Sequence, residues 1–466
     1  MKTLRIYLVF LLLGLFVSAT CAFAQTGPYE GSASAGPPSD QPVSLSLDQA
    51  LKMGLRYNLG GITAAQASDR ANGNRIVVRS ALYPNISGGV RENVQQIDLS
   101  SYGFKFSFPP SLGIHIPNIV GPFNFFDFRG YLTQSIADIQ SIRNYQSARE
   151  AERAAELSMA DSREIVVFVV TQAYLQVLAE SARVESVKAQ VDSAQAIFQQ
   201  ASDRFNAGLS AKIDMTRSNV ELQTQQQRLT AEQATYAKQK IGLARLIGMS
   251  PGQVYSLADK IPYAPLENLT VDQALTLAAQ NRSDLKAAQA QLHSAEFARK
   301  AAVAEHYPTL GITADYGVIG VNPANSHGTF DVSAQLLFPI WAGGHTHGDI
   351  VEADANLTQR RAEFEDVRSR VDADVRNAYL DLNAAAEQVR VAQSRRELAR
   401  DQLAQSTDRF ASGVADTVEV TQAQEVVASA ESDYIEDLNA HNLAKASVAR
   451  ATGQAEKIMR ELLRSQ

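Results

Sequence analysis

The chain has a single cysteine and a single tryptophan in 466 residues. It also lacks the short signatures that mark common catalytic and nucleotide sites. There is no Gly-Lys-Ser/Thr phosphate loop, no Gly-x-Ser-x-Gly elbow and no His-Glu-x-x-His helix. Positive charge is in deficit, with 43 Lys and Arg against 50 Asp and Glu for a net charge of −7. A mildly acidic chain without a basic cluster argues against nucleic-acid binding, where Lys and Arg neutralise phosphates. Past the first two dozen residues, nothing approaches the ~18 consecutive apolar residues of a membrane-spanning helix.

Those first residues have a logic of their own. Lys2 and Arg5 precede an almost unbroken apolar stretch from Ile6 to Val17, and Ala22-Phe23-Ala24 gives a small-x-small cleavage pattern. Residues 1–24 therefore read as a cleaved signal peptide. Cys21 follows Ser18-Ala19-Thr20, a poor context for lipoprotein acylation, so cleavage after Ala24 removes the only thiol. The mature chain then has neither disulfide nor thiol chemistry and is held by packing. Export without a spanning helix leaves three destinations: the periplasm, the exterior, or an outer-membrane β-barrel.

What the chain does have is an internal duplication. Leu47-Asp48-Gln49-Ala50-Leu51 returns as Val271-Asp272-Gln273-Ala274-Leu275, and Tyr83-Pro84 as Tyr307-Pro308, both 224 residues later. Asp203-Arg204-Phe205-x-x-Gly208 returns as Asp408-Arg409-Phe410-x-x-Gly413 at an offset of 205. The same 205 relates Ala173-Tyr174-Leu175 to Ala378-Tyr379-Leu380 and Ala244-Arg245 to Ala449-Arg450. The first copy thus carries 19 extra residues, placed around Ser101 to Pro122. The resulting division is a flexible lead over 25–44, a first repeat over 45–255, a second over 270–455 and a tail over 456–466 with no assigned function.

Each repeat reads as a helix, two strands and two long helices. Asp349 to Ser412 contains no Gly or Pro in 64 residues, enough for a helix of ~96 Å. Phe364, Val367, Val371, Ala378, Leu382, Ala385, Val389 and Ala392 recur at coiled-coil spacing along it. Gly208 and Gly413 are placed to turn one long helix back antiparallel to the next. Pro84 and Pro308 stop the preceding helices. After them, Asn85 to Ile97 with Phe123 to Ile136, and Thr309 to Val321 with Thr329 to Ile340, read as two hairpins. The insert contains Tyr102-x-Phe104-x-Phe106-x-Phe108, which either extends a strand or forms an external loop. Four strands cannot close a membrane barrel, which needs at least ~8. Membrane insertion therefore demands oligomerisation, and three chains would supply twelve strands.

These motifs, in this duplicated order, resemble the TolC-like outer-membrane efflux protein family. The resemblance is carried by the two Asp-Gln-Ala-Leu openings, the Tyr-Pro helix ends and Pro339-Ile340-Trp341-Ala342-Gly343-Gly344. Most specific are the Arg-Phe-x-x-Gly turns followed by Asp214 and Glu419. The first copy's counterpart of the Gly-Gly junction is Ile136-Ala137-Asp138. The resemblance implies a mainly α fold with β, as a homotrimer. A twelve-stranded outer-membrane barrel, set in lipid, would continue into a periplasmic coiled-coil tunnel. It implies an exit duct for drugs, toxic small molecules or proteins, without catalysis or cofactor. Its partners would be a periplasmic adaptor (membrane fusion) protein and an inner-membrane pump of the resistance-nodulation-division, ABC or major facilitator type.

The resemblance also assigns sites. Glu419 falls where the family builds a carboxylate ring at the tunnel's periplasmic gate, and Gln422 stands where a second acid is usual. Asp214 matches a latch residue. Its usual tyrosine partner is Phe410, and the arginine of the other latch is Ala415, which implies a gate held more by packing than by hydrogen bonds. Arg204, Phe205, Gly208, Leu209, Arg409, Gly413 and Val414 would form the adaptor-contacting tips. His345-Thr346-His347 invites a metal reading, but with only Asp349 near in sequence it reads instead as a polar strand-to-helix junction. Trp341 reads as an interfacial anchor or as core. A periplasmic adaptor or coiled-coil scaffold is the alternative function. An adaptor would need one hairpin with β-rich flanks, and two hairpins are present.

Overall fold

A computed structural model describes residues 27–259 and 270–461, apart from 35, 39, 40, 105, 107, 108, 110, 112, 114 and 115. The expected signal peptide, Cys21 and the Phe108 end of the aromatic run lie outside the described residues. The elements in chain order are β1 (Val43–Leu45), α1 (Leu47–Tyr57), α2 (Leu59–Ser80), β2 (Asn85–Asp98), β3 (Ile119–Ala137), α3 (Ile139–Asn206) and α4 (Lys212–Leu246). They continue with β4 (Tyr255–Leu257), α5 (Val271–Asn281), α6 (Ser283–Ala304), β5 (Thr309–Gly320), β6 (Ser326–Leu337), α7 (His345–Ala411), α8 (Thr417–Ala451) and α9 (Ala455–Glu461). The chain divides into two compact units. One comprises residues 1–65, 159–283 and 370–466, the other residues 66–158 and 284–369.

The repeated Asp-Gln-Ala-Leu openings are helix starts. Ser46 accepts from the Gln49 N–H at 3.3 Å while Gln49 Oε1 accepts from the Ser46 N–H at 3.1 Å. Thr270 and Gln273 do the same at 3.3 and 3.1 Å. Each capping box satisfies two backbone groups that a bare helix end would leave open.

In the first unit, the apolar core is built on α3, where Val166, Val167, Val170, Tyr174, Leu175 and Val177 are buried against Leu47 and Leu51 of α1. By length and composition α3 could cross a membrane, but 56% of its most apolar stretch is buried inside the chain. The coiled-coil stripe read on α7 holds where it enters this unit: Val371, Ala378, Leu382, Ala385, Val389 and Ala392 are all buried. β1 pairs in parallel with β4. Tyr174 fastens that pair, donating to Leu45 O at 3.0 Å and to Asp259 Oδ2 at 2.7 Å. Burial, reinforced by Asp259, pushes its phenol far above the usual tyrosine range.

One expectation needs correction here. The lead is anchored where it is described, because Tyr29 packs on the core and its carbonyl accepts from Asn58 Nδ2 at 2.7 Å. The tail begins inside α9, where Met459 is buried, and just before it the buried Ala455 donates its N–H to Glu164 Oε2 at 2.6 Å. Composition marked the lead as loose, but one aromatic side chain and the Asn58 hydrogen bond hold its described start.

The second unit carries a four-stranded antiparallel sheet in the order β2-β3-β5-β6, with the two hairpins side by side. Its register sorts the side chains. Val90 of β2 lies opposite Phe128, Phe128 opposite Val318, Tyr316 opposite Phe330, and Ala314 opposite Val332. Together with Ile86, Val94 and Leu336 these form one mainly apolar face, most of whose large residues are exposed and which Glu92 and Asn124 interrupt with a hydrogen bond of 2.7 Å. The other face carries a charged cluster. On it Arg129 pairs with Asp127 at 3.3 Å, with Asp315, and with Thr329 Oγ1 at 2.8 Å. Gly317 lies between Arg129 and Thr329, and a Cβ there would stand 2.4 Å from Phe128 O. Only glycine leaves that crossing open.

The described residues of the insert are loop and turn up to residue 118, and its last four, Ile119 to Pro122, begin β3. β2 ends in a 3-10 turn over Leu99–Tyr102, and Phe104 stacks on Phe106 with ring centroids 5.9 Å apart. No described residue between 103 and 118 lies in a strand. Trp341 is 88% exposed, so it is not core within the chain. Tyr174→Phe is expected to cost about 0.5–1.5 kcal/mol, because the bonds to Leu45 O and Asp259 Oδ2 are lost while the Ala258 and Leu47 N–H groups still serve those acceptors. A lowered midpoint in thermal unfolding of the detergent-solubilised protein would show it, and an unchanged midpoint would remove Tyr174 from the account.

Candidate functional site

The two turns between long helices are copies of one motif. At the end of α3, the Leu209 N–H reaches Arg204 O at 2.8 Å and the Gly208 N–H reaches Phe205 O at 2.9 Å. At the end of α7, Val414 reaches Arg409 O at 2.9 Å and Gly413 reaches Phe410 O at 3.0 Å. This is the Schellman pattern, and it requires the left-handed conformation that Gly208 (φ 74°) and Gly413 (φ 75°) adopt. The residue after each glycine, Leu209 and Val414, is an exposed apolar side chain, at 71% and 69%.

Here the copies diverge. Arg204 sits with its guanidinium 5.1 Å from the centre of the Phe410 ring and donates to the Phe410 carbonyl. Its counterpart Arg409 instead pairs with Glu419 at 3.1 Å, in a half-exposed setting. Phe410 is 3% exposed, packed with Ile197, Ala201 and Val420, and with Leu403 alongside. Asp214 Oδ1 accepts from the Thr417 hydroxyl at 2.9 Å, joining the first turn of α4 to that of α8.

The structure thus brings Asp214, Phe410, Arg204, Arg409 and Glu419 into one neighbourhood of the first unit. Gln422, three residues beyond Glu419 on α8, is exposed, and Phe205 is half-buried. Within the chain this neighbourhood combines packing with polar contacts. Phe410 does pack, but Thr417 supplies a hydroxyl that Phe410 lacks, and Arg204 supplies a cation that Ala415 lacks. Sequence reasoning also missed Asp416, which caps α8 by accepting from the Val418 and Glu419 N–H groups at 3.1 Å each. The Asp-x-x-Glu spacing after Gly413 was the available signal. Thr417 had none, because its partner is 203 residues away.

A second constellation lies in the other unit, where the strand-to-helix junction meets the end of α6. His345 Nδ1 is 3.2 Å from Asp349 Oδ2 and 3.8 Å from Glu305 Oε2. Gln140 Nε2 holds the other Glu305 oxygen at 2.8 Å. The expected polar junction therefore includes a carboxylate from outside its own sequence neighbourhood.

Comparison with known proteins follows the same lines. The profile of the outer membrane efflux protein family matches residues 62–249 and 274–454, one match per repeat. The chain belongs to that family. It is 24% identical to the pyoverdine export outer membrane protein OpmQ of Pseudomonas aeruginosa over 316 residues, 66% of this chain and 65% of that one. It is 23% identical to the outer membrane protein TolC of Escherichia coli (strain K12) over 276 residues, 54% of each chain. The chain spans roughly three fifths of the length of the curated relatives it matches. Among solved structures, the VceC outer membrane protein of Vibrio cholerae superposes with a TM-score of 0.74 at 16% identity, over 87% of this chain and 96% of that one. The Campylobacter jejuni CmeC outer membrane channel gives 0.75 at 14% identity, over 93% and 94%. At such identities these likenesses establish the family fold.

Phe410→Ala is expected to loosen the contact between the two hairpin turns by about 3–5 kcal/mol, with Phe410→Leu much milder. Hydrogen exchange over residues 197–215 and 403–420 should accelerate in the alanine variant. Wild-type protection there would show that the ring carries none of the contact.

Proposed function

We propose that the chain is one protomer of a homotrimeric exit duct in the outer membrane. The observation that carries this is the sheet with one apolar exposed face, one polar face and two unpaired edges at β2 and β6. Strands apolar on one side and polar on the other suit a bilayer outside and an aqueous lumen inside. Open edges do not suit lipid, since each unpaired amide costs several kcal/mol. Three copies pair edge to edge into twelve strands and remove the edges. On this reading Arg129, Asp127, Asp315 and Thr329 face the lumen.

The long helices of each protomer then contribute to a common periplasmic tunnel, and residues 1–24 direct export and are removed. Cargo enters from a periplasmic adaptor and an inner-membrane pump, which supplies the energy. Its chemical class is a small toxic molecule, a drug or a protein, and the duct performs no catalysis. Glu419 contributes a carboxylate ring at the periplasmic gate, with Gln422 as an uncharged neighbour. The Asp214–Thr417 hydrogen bond and the Arg204–Phe410 contact help to hold that end shut. Leu209 and Val414, on turns shaped by Gly208 and Gly413, offer paired apolar knobs to the adaptor. Arg204, Phe205 and Arg409 complete those tips.

Light scattering on the detergent-purified protein is expected to give a trimer, and a monomer at all concentrations would sink the barrel. In planar bilayers the trimer should conduct with a preference for cations. Glu419→Ala should weaken that preference, and Asp214→Ala should raise conductance by freeing Thr417. If both variants match the wild type in conductance and ion preference, these residues do not form the gate.

A further inference from the structure

Glu305, His345 and Asp349 converge although they come from two elements. Glu305 follows the last turn of α6, and His345 and Asp349 share the first turns of α7. One ligand atom from each lies within 4.8 Å of the other two. The imidazole Nδ1 is 3.2 Å from one carboxylate and 3.8 Å from the other. In a tetrahedral zinc site with bonds near 2.0–2.1 Å, neighbouring ligand atoms stand about 3.3 Å apart. The observed separations approach that figure before any ion draws them in.

Two further features distinguish this group from an ordinary exposed acidic patch. Glu305 is mostly buried, and Gln140 pins its outer oxygen, turning the inner one toward the imidazole. Such a hydrogen bond behind a ligand is how metal sites orient their carboxylates. Neither carboxylate is paired with a Lys or Arg among the described residues, so two negative charges meet one ring nitrogen. The α7 N-terminus offsets only part of that charge.

We propose that Glu305, His345 and Asp349 bind one first-row divalent cation per chain, with Zn²⁺ as the reference ion. One imidazole nitrogen and two carboxylate oxygens suit Zn²⁺ or Co²⁺ over Mg²⁺, which prefers an all-oxygen shell and retains its waters. Water completes the coordination, since His345 is 71% exposed. The ion crosslinks the end of α6 to the start of α7, immediately after Gly343 and Gly344, both of which hold positive φ. It thereby fixes the direction in which α7 leaves the sheet. The competing account is a local His345–Asp349 contact with no ion.

The test is calorimetric titration of the tag-free, detergent-purified full chain with ZnCl₂ and, separately, MgCl₂. One Zn²⁺ per chain is expected, with Mg²⁺ far weaker, and Zn²⁺ should raise the unfolding midpoint. His345→Ala should abolish the saturable binding and the shift. Gln140→Ala should weaken binding about 10-fold or more, as loss of an orienting partner does. His306→Ala, which removes the histidine next to Glu305, should leave binding unchanged. Absence of stoichiometric Zn²⁺ binding by the wild type would overturn the proposal. So would retention of wild-type affinity by His345→Ala. A trimer that conducts normally but binds no Zn²⁺ would reject this site and leave the proposed exit duct intact.

Discussion

Backbone hydrogen bonding at the edges of the four-stranded sheet is the constraint from which the rest follows. Within the sheet every inner ladder is closed, and the register places most apolar side chains on one face and the Arg129 cluster on the other. Such a sheet has no stable place in water, where its apolar face is unpaired. It has none in lipid either, where its edge amides are unsatisfied. Pairing with further copies answers both demands at once. The long inner strands and the position of Arg129 across three strands are both compatible with that solution.

The duplication supplies this architecture economically, because one local code is used twice. A capping box starts a helix at Ser46 and again at Thr270, and a Schellman turn closes the long helix at Gly208 and again at Gly413. These devices depend on a few residues each and survive the divergence of everything around them. Where the copies differ, the differences are chemical. The first hairpin carries the long loop with its stacked phenylalanines. At the helical turns, equivalent arginines have opposite employment, Arg204 on an aromatic ring and Arg409 on a carboxylate. Equivalent acids likewise diverge, Asp214 accepting from a hydroxyl and Glu419 from a guanidinium. A symmetric repeat thus becomes a chain with two unlike turns in one neighbourhood.

Legibility in the sequence followed the range of the interactions. The stripe on α7 was readable because coiled-coil packing imposes a spacing, and six of its eight residues are buried in the first unit. The strands were readable to within a few residues because proline, glycine and alternating polarity bound them. The lead was misread in part. Its composition is polar and small, yet Tyr29 packs against a core assembled from distant segments. The aromatic run was ambiguous for the reverse reason: alternation alone does not distinguish a strand from rings that stack on one another.

By itself the sequence determined the local devices and their order: caps, turns, apolar stripes, hairpins and the fact of duplication. All but the duplication are written in residues near one another in the chain, and the duplication shows as a constant offset, so spacing suffices to reveal each. Only tertiary structure decided which side chains from distant segments meet. It joined Thr417 to Asp214, laid Arg204 over Phe410, and brought Glu305 to His345 and Asp349. Those pairings turn on how helices and strands pack side by side, and no periodicity in the chain encodes the distance between them. The four-stranded register lies between the two cases. Its alternation was visible in sequence, but which residue faces which, and hence that one face is mainly apolar, emerged only when the two hairpins were set against each other.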